Sequence, residues 1–296
     1  MECDVKRCIE LERQILSLHR NVRRFVIGKT ELNRSIVAYC IGKMGGLLLC
    51  SAFHGMERLT AQMLYRFLDE VCTKAENDHK FAKALEKTGL VVVPMVNPDG
   101  VEISVNGERT ALKNCELVSE CLQKAGVHHT KWQANSRGVD INHNFDADFA
   151  KVKENERKMG INAPAHTRYG GEFPESERET RAIATLCRSY YFSLSCALHT
   201  QGREIYYDFG ENTPSVSFDI AKKMANLSGY IVSKPQGIAV GGGFKDWFID
   251  YFHRPSFTLE IGLGENPLPP EVAVTEYDRV SPMLWCLLDY AIKNAP

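Results

Sequence analysis

The chain has 296 residues, 44% hydrophobic and 25% charged, with a formal net charge of −1. This length lies at the upper end of what one hydrophobic core holds, so the sequence predicts a single domain over residues 1–296. The balanced charge excludes a polyanion such as nucleic acid as the expected partner, and no apolar run reaches membrane-spanning length.

The first residues, MECDVKRCIELERQILSLHR, lack the apolar centre of a signal peptide and carry a helical pattern over 4–20. The ten cysteines form no CxxC pair, and several sit within apolar patterns as small hydrophobes, which predicts a reducing, cytoplasmic setting. Residues 24–28 and 35–41 read as short strands about a turn, and the apolar run 47–53 as a third strand. Leu59, Met63, Leu64, Phe67 and Leu68 then recur at helical spacing, to about residue 72. A second helix over 78–87 ends at Gly89, and LVVVPMV (90–96) is β-branched enough for a central strand. Asn97-Pro98-Asp99-Gly100 predicts a turn. Residues 101–135 read as an irregular insertion with one helix near 115–125, and 151–169 as a polar loop. Pro174-Glu175-Ser176-Glu177 opens a helix, and 191–198 is a strand ending in His199. A helix from Pro214 to about Ser228, capped by Gly229, leads to a strand at 231–232. Gly241-Gly242-Gly243 precedes a short helix over 245–251, SFTLEI (256–261) is a strand, and 270–292 is a long helix. This alternation predicts an α/β fold: a mixed, largely parallel central sheet with helices on both faces.

His54, Glu57, His199 and Glu260 stand at or just beyond the carboxyl ends of predicted strands, the edge where such sheets place their sites. A neutral imidazole and a carboxylate are both zinc ligands, and a third from a distant strand leaves one position for water. Against this, a two-position HxxE match arises by chance, and a strand-end histidine is commonly structural. A carboxylate such as Glu260 inside an apolar strand is costly unless paired or near a metal.

The series HGME, NPDG, RGVDINHNF, ALHT and SFTLEIG resembles, in order, the signature motifs of the zinc carboxypeptidases of the carboxypeptidase A type. Within that family the resemblance runs to bacterial γ-D-glutamyl-diaminopimelate peptidases, the murein peptide amidases. It implies one zinc ion on His54, Glu57 and His199, with Glu260 as general base. Asn142 matches the asparagine of the family's Asn-Arg carboxylate grip, but His143 stands where the arginine belongs. Gln133 follows Trp132 in place of the oxyanion arginine, and the mobile-tyrosine position falls on Ile238. Arg137 is the nearby cation that could substitute, and Lys245 takes the position at the floor of the specificity pocket, suited to a substrate carboxylate. Lys245 could equally be a solvated helix residue and His143 a loop hydrogen-bonding residue. Arg203 could face cleft or solvent, and His128, His129 and His166 are expected in solvent.

The implied function is a zinc amidase that takes small murein-derived peptides and cuts the γ-D-glutamyl–diaminopimelate bond. The rivals are a metallocarboxypeptidase on ordinary peptide termini, an N-acyl amino acid deacylase, and a non-catalytic zinc-binding interaction module.

Overall fold

The computed structural model describes residues 4–235 and 240–295. Asp4 caps the first helix, α1 (Val5–Leu18), its carboxylate accepting the Arg7 N–H at 2.7 Å. β1 (Val22–Lys29) and β2 (Ser35–Ile41) follow, then β3 (Gly46–Ser51), buried at every position. Asp78 ends α2 (Leu59–Asn77) and caps α3 (His79–Thr88) by accepting from the Lys80 and Phe81 N–H groups. Gly89, at φ 89°, turns the chain into β4 (Leu90–Val93).

The NPDG stretch is not an isolated turn. It opens α4 (Pro98–Asn106): Asn97 is the cap, accepting the Gly100 N–H at 2.9 Å, and Pro98 occupies the first turn. Asparagine, proline and glycine serve turns and helix starts alike, so local sequence does not separate the two. The expected insertion is more regular than predicted, with a 3-10 stretch at Glu108–Asn114 leading into α5 (Cys115–Ala125). The polar stretch beyond 145 likewise contains α6 (Phe149–Lys158), of which only Val152 and Glu156 are buried. Its pairs Lys151–Glu154 and Lys158–Glu154 support a helix with almost no apolar stripe to read.

The remainder runs α7 (Arg178–Ser189), β5 (Phe192–His199), β6 (Glu204–Tyr206), α8 (Val216–Ser228), β7 (Ile231–Ser233), α9 (Phe244–Phe252), β8 (Ser256–Glu260) and α10 (Val272–Lys293). Among the described residues these strands make one eight-stranded sheet in the order β1-β2-β4-β3-β5-β8-β6-β7. The centre, β4-β3-β5-β8, is parallel, and β1-β2, β2-β4 and β8-β6 are antiparallel, giving the mixed sheet that was expected.

The central strands read as unbroken apolar runs because both faces are covered. Leu47, Leu49, Leu90, Val92, Leu194 and Cys196 pack with α2, α8 and α10, whereas Leu48, Cys50, Val91, Val93 and Ala197 face α7 and α9. Sheet and helices therefore deliver the ends of β3, β5 and β8 side by side at one edge.

α1 is held at its carboxyl end by His19, whose Nε2 lies 2.9 Å from Asp69 and whose Nδ1 lies 3.1 Å from Glu76, both on α2. Burial draws the His19 pKa down, but the two carboxylates outweigh it and the net shift is upward. A raised folded value means the stabilisation is complete below the unfolded pKa, about 6.5, and is lost as pH climbs through the folded one. His19→Gln should lower the melting temperature at pH 6 more than at pH 9. A deficit that does not change between those pH values would reject a charge-based clamp.

Candidate metal centre

The centre begins with the exit from β3. The Asn97 side-chain amide donates to the Phe53 carbonyl at 2.9 Å and the Ala134 carbonyl at 3.1 Å, fixing the backbone on either side of the turn. At Gly55 any Cβ would lie 2.2 Å from the Gly100 carbonyl oxygen, so only glycine lets the turn carrying His54 and Glu57 close on α4. Asp99 accepts from Thr30 at 2.8 Å, Arg34 at 2.7 Å and Ser136 at 3.1 Å, tying the β1–β2 turn to the segment that bears Asp140.

His54, Glu57 and His199 offer one ligand atom each, all within 4.8 Å of one another and all buried. Glu57 lies between the two rings: one oxygen is 2.9 Å from His54 Nδ1, the other 2.9 Å from His199 Nδ1. The two Nδ1 atoms face each other at 3.3 Å. Phe53 stacks on the His199 ring, with centroids 5.5 Å apart and an interplanar angle of 21°, setting its plane. Burial opposes ionisation of Glu57, yet the His54 and His199 rings reverse this and lower its pKa. Burial likewise lowers the His54 pKa, and the Glu57 and Asp140 carboxylates overcome it and raise it well above the usual histidine value.

Two imidazole nitrogens and a carboxylate aimed at one point form the donor set that suits zinc. Asp140, which sequence reasoning quoted within RGVDINHNF and left without a role, approaches His54 Nε2 at 3.2 Å. A carboxylate behind a ligating imidazole fixes the tautomer and the ring direction. Asp140 is itself held by the Asn142 N–H at 3.2 Å and the Arg168 N–H at 3.0 Å, and its pKa is lowered: burial raises it, but His54 and His143 outweigh that. The residues present fit a zinc ion.

Glu260 ends β8 in register with His199 on β5. Burial, reinforced by the negative charges of Glu57 and Glu204, pushes its pKa up to about 8. A divalent cation beside it would favour the ionised form. Glu260 and His54 line one cavity together with Asn142, His143, Tyr206, Thr258, Lys245 and Asp246. Of the residues singled out in sequence, Asn142, His143 and Lys245 therefore line the same cavity as Glu260 and His54. Asn142 accepts the Phe244 N–H at 3.0 Å and positions the start of α9. His143 has its pKa lowered, mainly by burial, so its ring is neutral at pH 7, and its Nδ1 is buried without a hydrogen-bond partner among the described residues.

Lys245 is not a solvated helix residue. It is buried, its ammonium donating to the Asp246 carboxylate and to the Asp208 carbonyl at 2.6 Å. Arg137 does not reach the cavity: half exposed, its guanidinium lies 3.6 Å from Glu177, because α7 places that buried carboxylate beside it. Gln133 accepts the Thr167 hydroxyl, and its carbonyl accepts the Gly55 N–H at 3.0 Å. Arg203 turns to Glu276 and not to the cleft. Ile238 lies outside the described residues.

A buried two-histidine, one-carboxylate centre at the edge of a mixed sheet is the combination found in one family of known proteins. The sequence profile of the zinc carboxypeptidase family matches residues 13–280, and the chain belongs to that family. It is 34% identical over 262 residues to γ-D-glutamyl-L-diamino acid endopeptidase 1 of Lysinibacillus sphaericus, covering 86% of this chain and 63% of that protein. Thus the chain spans less than two thirds of that relative's length. In structure it is similar to bovine thrombin-activatable fibrinolysis inhibitor, with a TM-score of 0.76 and 17% identity over 99% of this chain and 98% of that one. It is also similar to the murein-tripeptide amidase of Escherichia coli O157, with a TM-score of 0.51 and 17% identity over 90% of this chain and 91% of that one. Among the described residues no helix is long and apolar enough to cross a membrane.

The family uses zinc, and the donor set meets that requirement. Asp140→Asn should weaken zinc binding about 10- to 100-fold, read by competition with a chromogenic chelator. Stripping the metal should lower the melting temperature of the unmodified protein and leave that of His199→Ala unchanged. An equal effect of chelator on both would place the stabilising metal elsewhere.

Proposed function

We propose that this chain hydrolyses the γ-D-glutamyl–diaminopimelate bond of small murein-derived peptides, with His54, Glu57 and His199 holding one zinc ion and Glu260 as general base. The observation that carries the reading is the buried N,N,O donor set beside a carboxylate that faces the same cavity. When bound, zinc supplies a more acidic water and a polarised scissile carbonyl. Glu260 then takes the proton of the attacking water and delivers one to the leaving amine.

The substrate class rests on three supports. The Lysinibacillus relative is named as an endopeptidase acting on a γ-D-glutamyl-L-diamino acid bond. Among the described residues the cavity holds no arginine to match the family's grip on a free terminal carboxylate, and neutral His143 cannot replace it by charge. Lys245 brings an ammonium into the same cavity, complementary to the distal carboxylate of diaminopimelate. The rival exopeptidase reading draws on relatives such as bovine carboxypeptidase B, 24% identical over 259 residues. A blocked ordinary dipeptide cut as fast as the murein tripeptide would favour that rival. The cytoplasmic setting stays part of this proposal, supported by the nine described cysteines, all free thiols.

Incubation with a panel of murein peptides, with products read by mass, tests the reaction. Glu260→Gln should retain zinc and lose about 100- to 10,000-fold in kcat. Zinc bound by the unmodified protein with no turnover of any peptide would instead support a non-catalytic module. Lys245→Ala should reduce kcat/KM about tenfold or more on a diaminopimelate peptide and much less on its lysine counterpart. Equal losses on the two would remove Lys245 from carboxylate recognition.

A further inference from the structure

β6 turns Glu204 and Tyr206 to its open face, while Ile205 between them is buried in the core. Its pairing with β8 is antiparallel and in register, so Glu204 lies directly across from Glu260 and Tyr206 across from Thr258. Like charges in directly opposed positions of an antiparallel pair repel. Glu204 nevertheless pairs with no cation among the described residues; its Oε2 accepts the Tyr206 hydroxyl at 2.5 Å. A half-buried carboxylate beside a second carboxylate is unfavourable until a cation joins them. Among the described residues the one ammonium on the cavity wall is that of Lys245, which donates to Asp246 and the Asp208 carbonyl and not to Glu204.

The missing cation has an evident source in the substrate class. A diamino acid differs from other residues by a second amine, and the Lysinibacillus relative is named for that residue. We propose that Glu204, braced by the Tyr206 hydroxyl, is a specificity residue that binds the second ammonium group of a diamino acid on the leaving side of the scissile bond. The assignment rests on the function proposed above and deepens it. Lys245 would recognise the distal carboxylate where there is one, and Glu204 the distal amine, so the cavity reads a zwitterionic side-chain end by two opposite charges. The Tyr206 hydroxyl holds the Glu204 carboxylate, and both of Glu204's β-strand neighbours on this side, Tyr206 and the facing Glu260, line the cavity.

Four peptides sharing one γ-D-glutamyl acyl part and differing only in the leaving residue separate the contributions: diaminopimelate, lysine, 2-aminopimelate and norleucine. Glu204→Gln should lower kcat/KM on the two diamino substrates about 10- to 100-fold more than on the other two. It should melt no lower than the unmodified protein, because one of two facing carboxylates is gone. Tyr206→Phe should shift the same preference in the same direction by a smaller factor. Equal losses on all four substrates, with a displaced acid limb of the pH–rate profile, would overturn the assignment and leave Glu204 acting only on the proton of Glu260.

A binding measurement keeps the two proposals apart. In the zinc-loaded Glu260→Gln protein, calorimetry compares the diaminopimelate and 2-aminopimelate peptides with and without the added Glu204→Gln change. The added change should weaken binding of the first peptide only. If the unmodified enzyme cuts none of the four, the reaction reading fails, and this amine preference still decides the role of Glu204. Binding with no such preference, or no binding of either peptide, overturns it.

Discussion

The structure depends on one carboxylate wedged between two imidazoles. Glu57 is 2% exposed and would be costly alone in that environment. Two ring nitrogens at 2.9 Å make its charged form the favoured one. Each partner is placed by a different part of the chain. His54 is set by the glycine turn after β3 and by Asp140 behind its ring. His199 is set by the end of β5 and by the face of Phe53. The parallel centre of the sheet exists, from this site's point of view, to bring those strand ends within reach of one small ion.

Around that cluster the charges are sorted. Glu57 and Glu260 lie on the same edge and raise each other's cost of ionisation, which a bound cation offsets. Lys245 sits on α9 in an already compensated pair, so it presents directional hydrogen-bond donors without leaving an isolated buried charge. His143 stays neutral and adds a polar edge without a positive field. The cavity therefore carries fixed charges of both signs, each on a different element.

The parts of this arrangement that were legible in the sequence are those with a strong local signature. Apolar runs doubly covered by helices, such as 47–51 and 90–93, announce central strands, and polar residues at their ends then stand out against them. His54, Glu57, His199 and Glu260 were visible for that reason. Asp140 was not, because its function comes from a 3.2 Å approach to a ring 86 positions away, which no spacing rule encodes. β6 was missed because three residues with two polar ones among them carry no period; only pairing with β8 makes them a strand. α6 was hidden by the reverse problem, a solvated helix with two buried residues. Sequence offers Arg137 as a nearby cation that could substitute for the missing arginine, but Glu177 on the approach to α7 holds it outward.

The sheet order separates two tasks that share one cavity. The metal-directed side chains come from the turn after β3 and from β5, whereas Tyr206 and Lys245 on the cavity wall come from β6, beyond β8 in the sheet order, and from α9. Residues such as Tyr206 and Lys245 could thus drift through evolution, or be exchanged by a protein engineer, without disturbing the grip on the ion. One strand, β8, is the hinge-pin common to both halves, which makes it the position where retuning the preference for a new ligand and keeping the chemistry intact come into conflict.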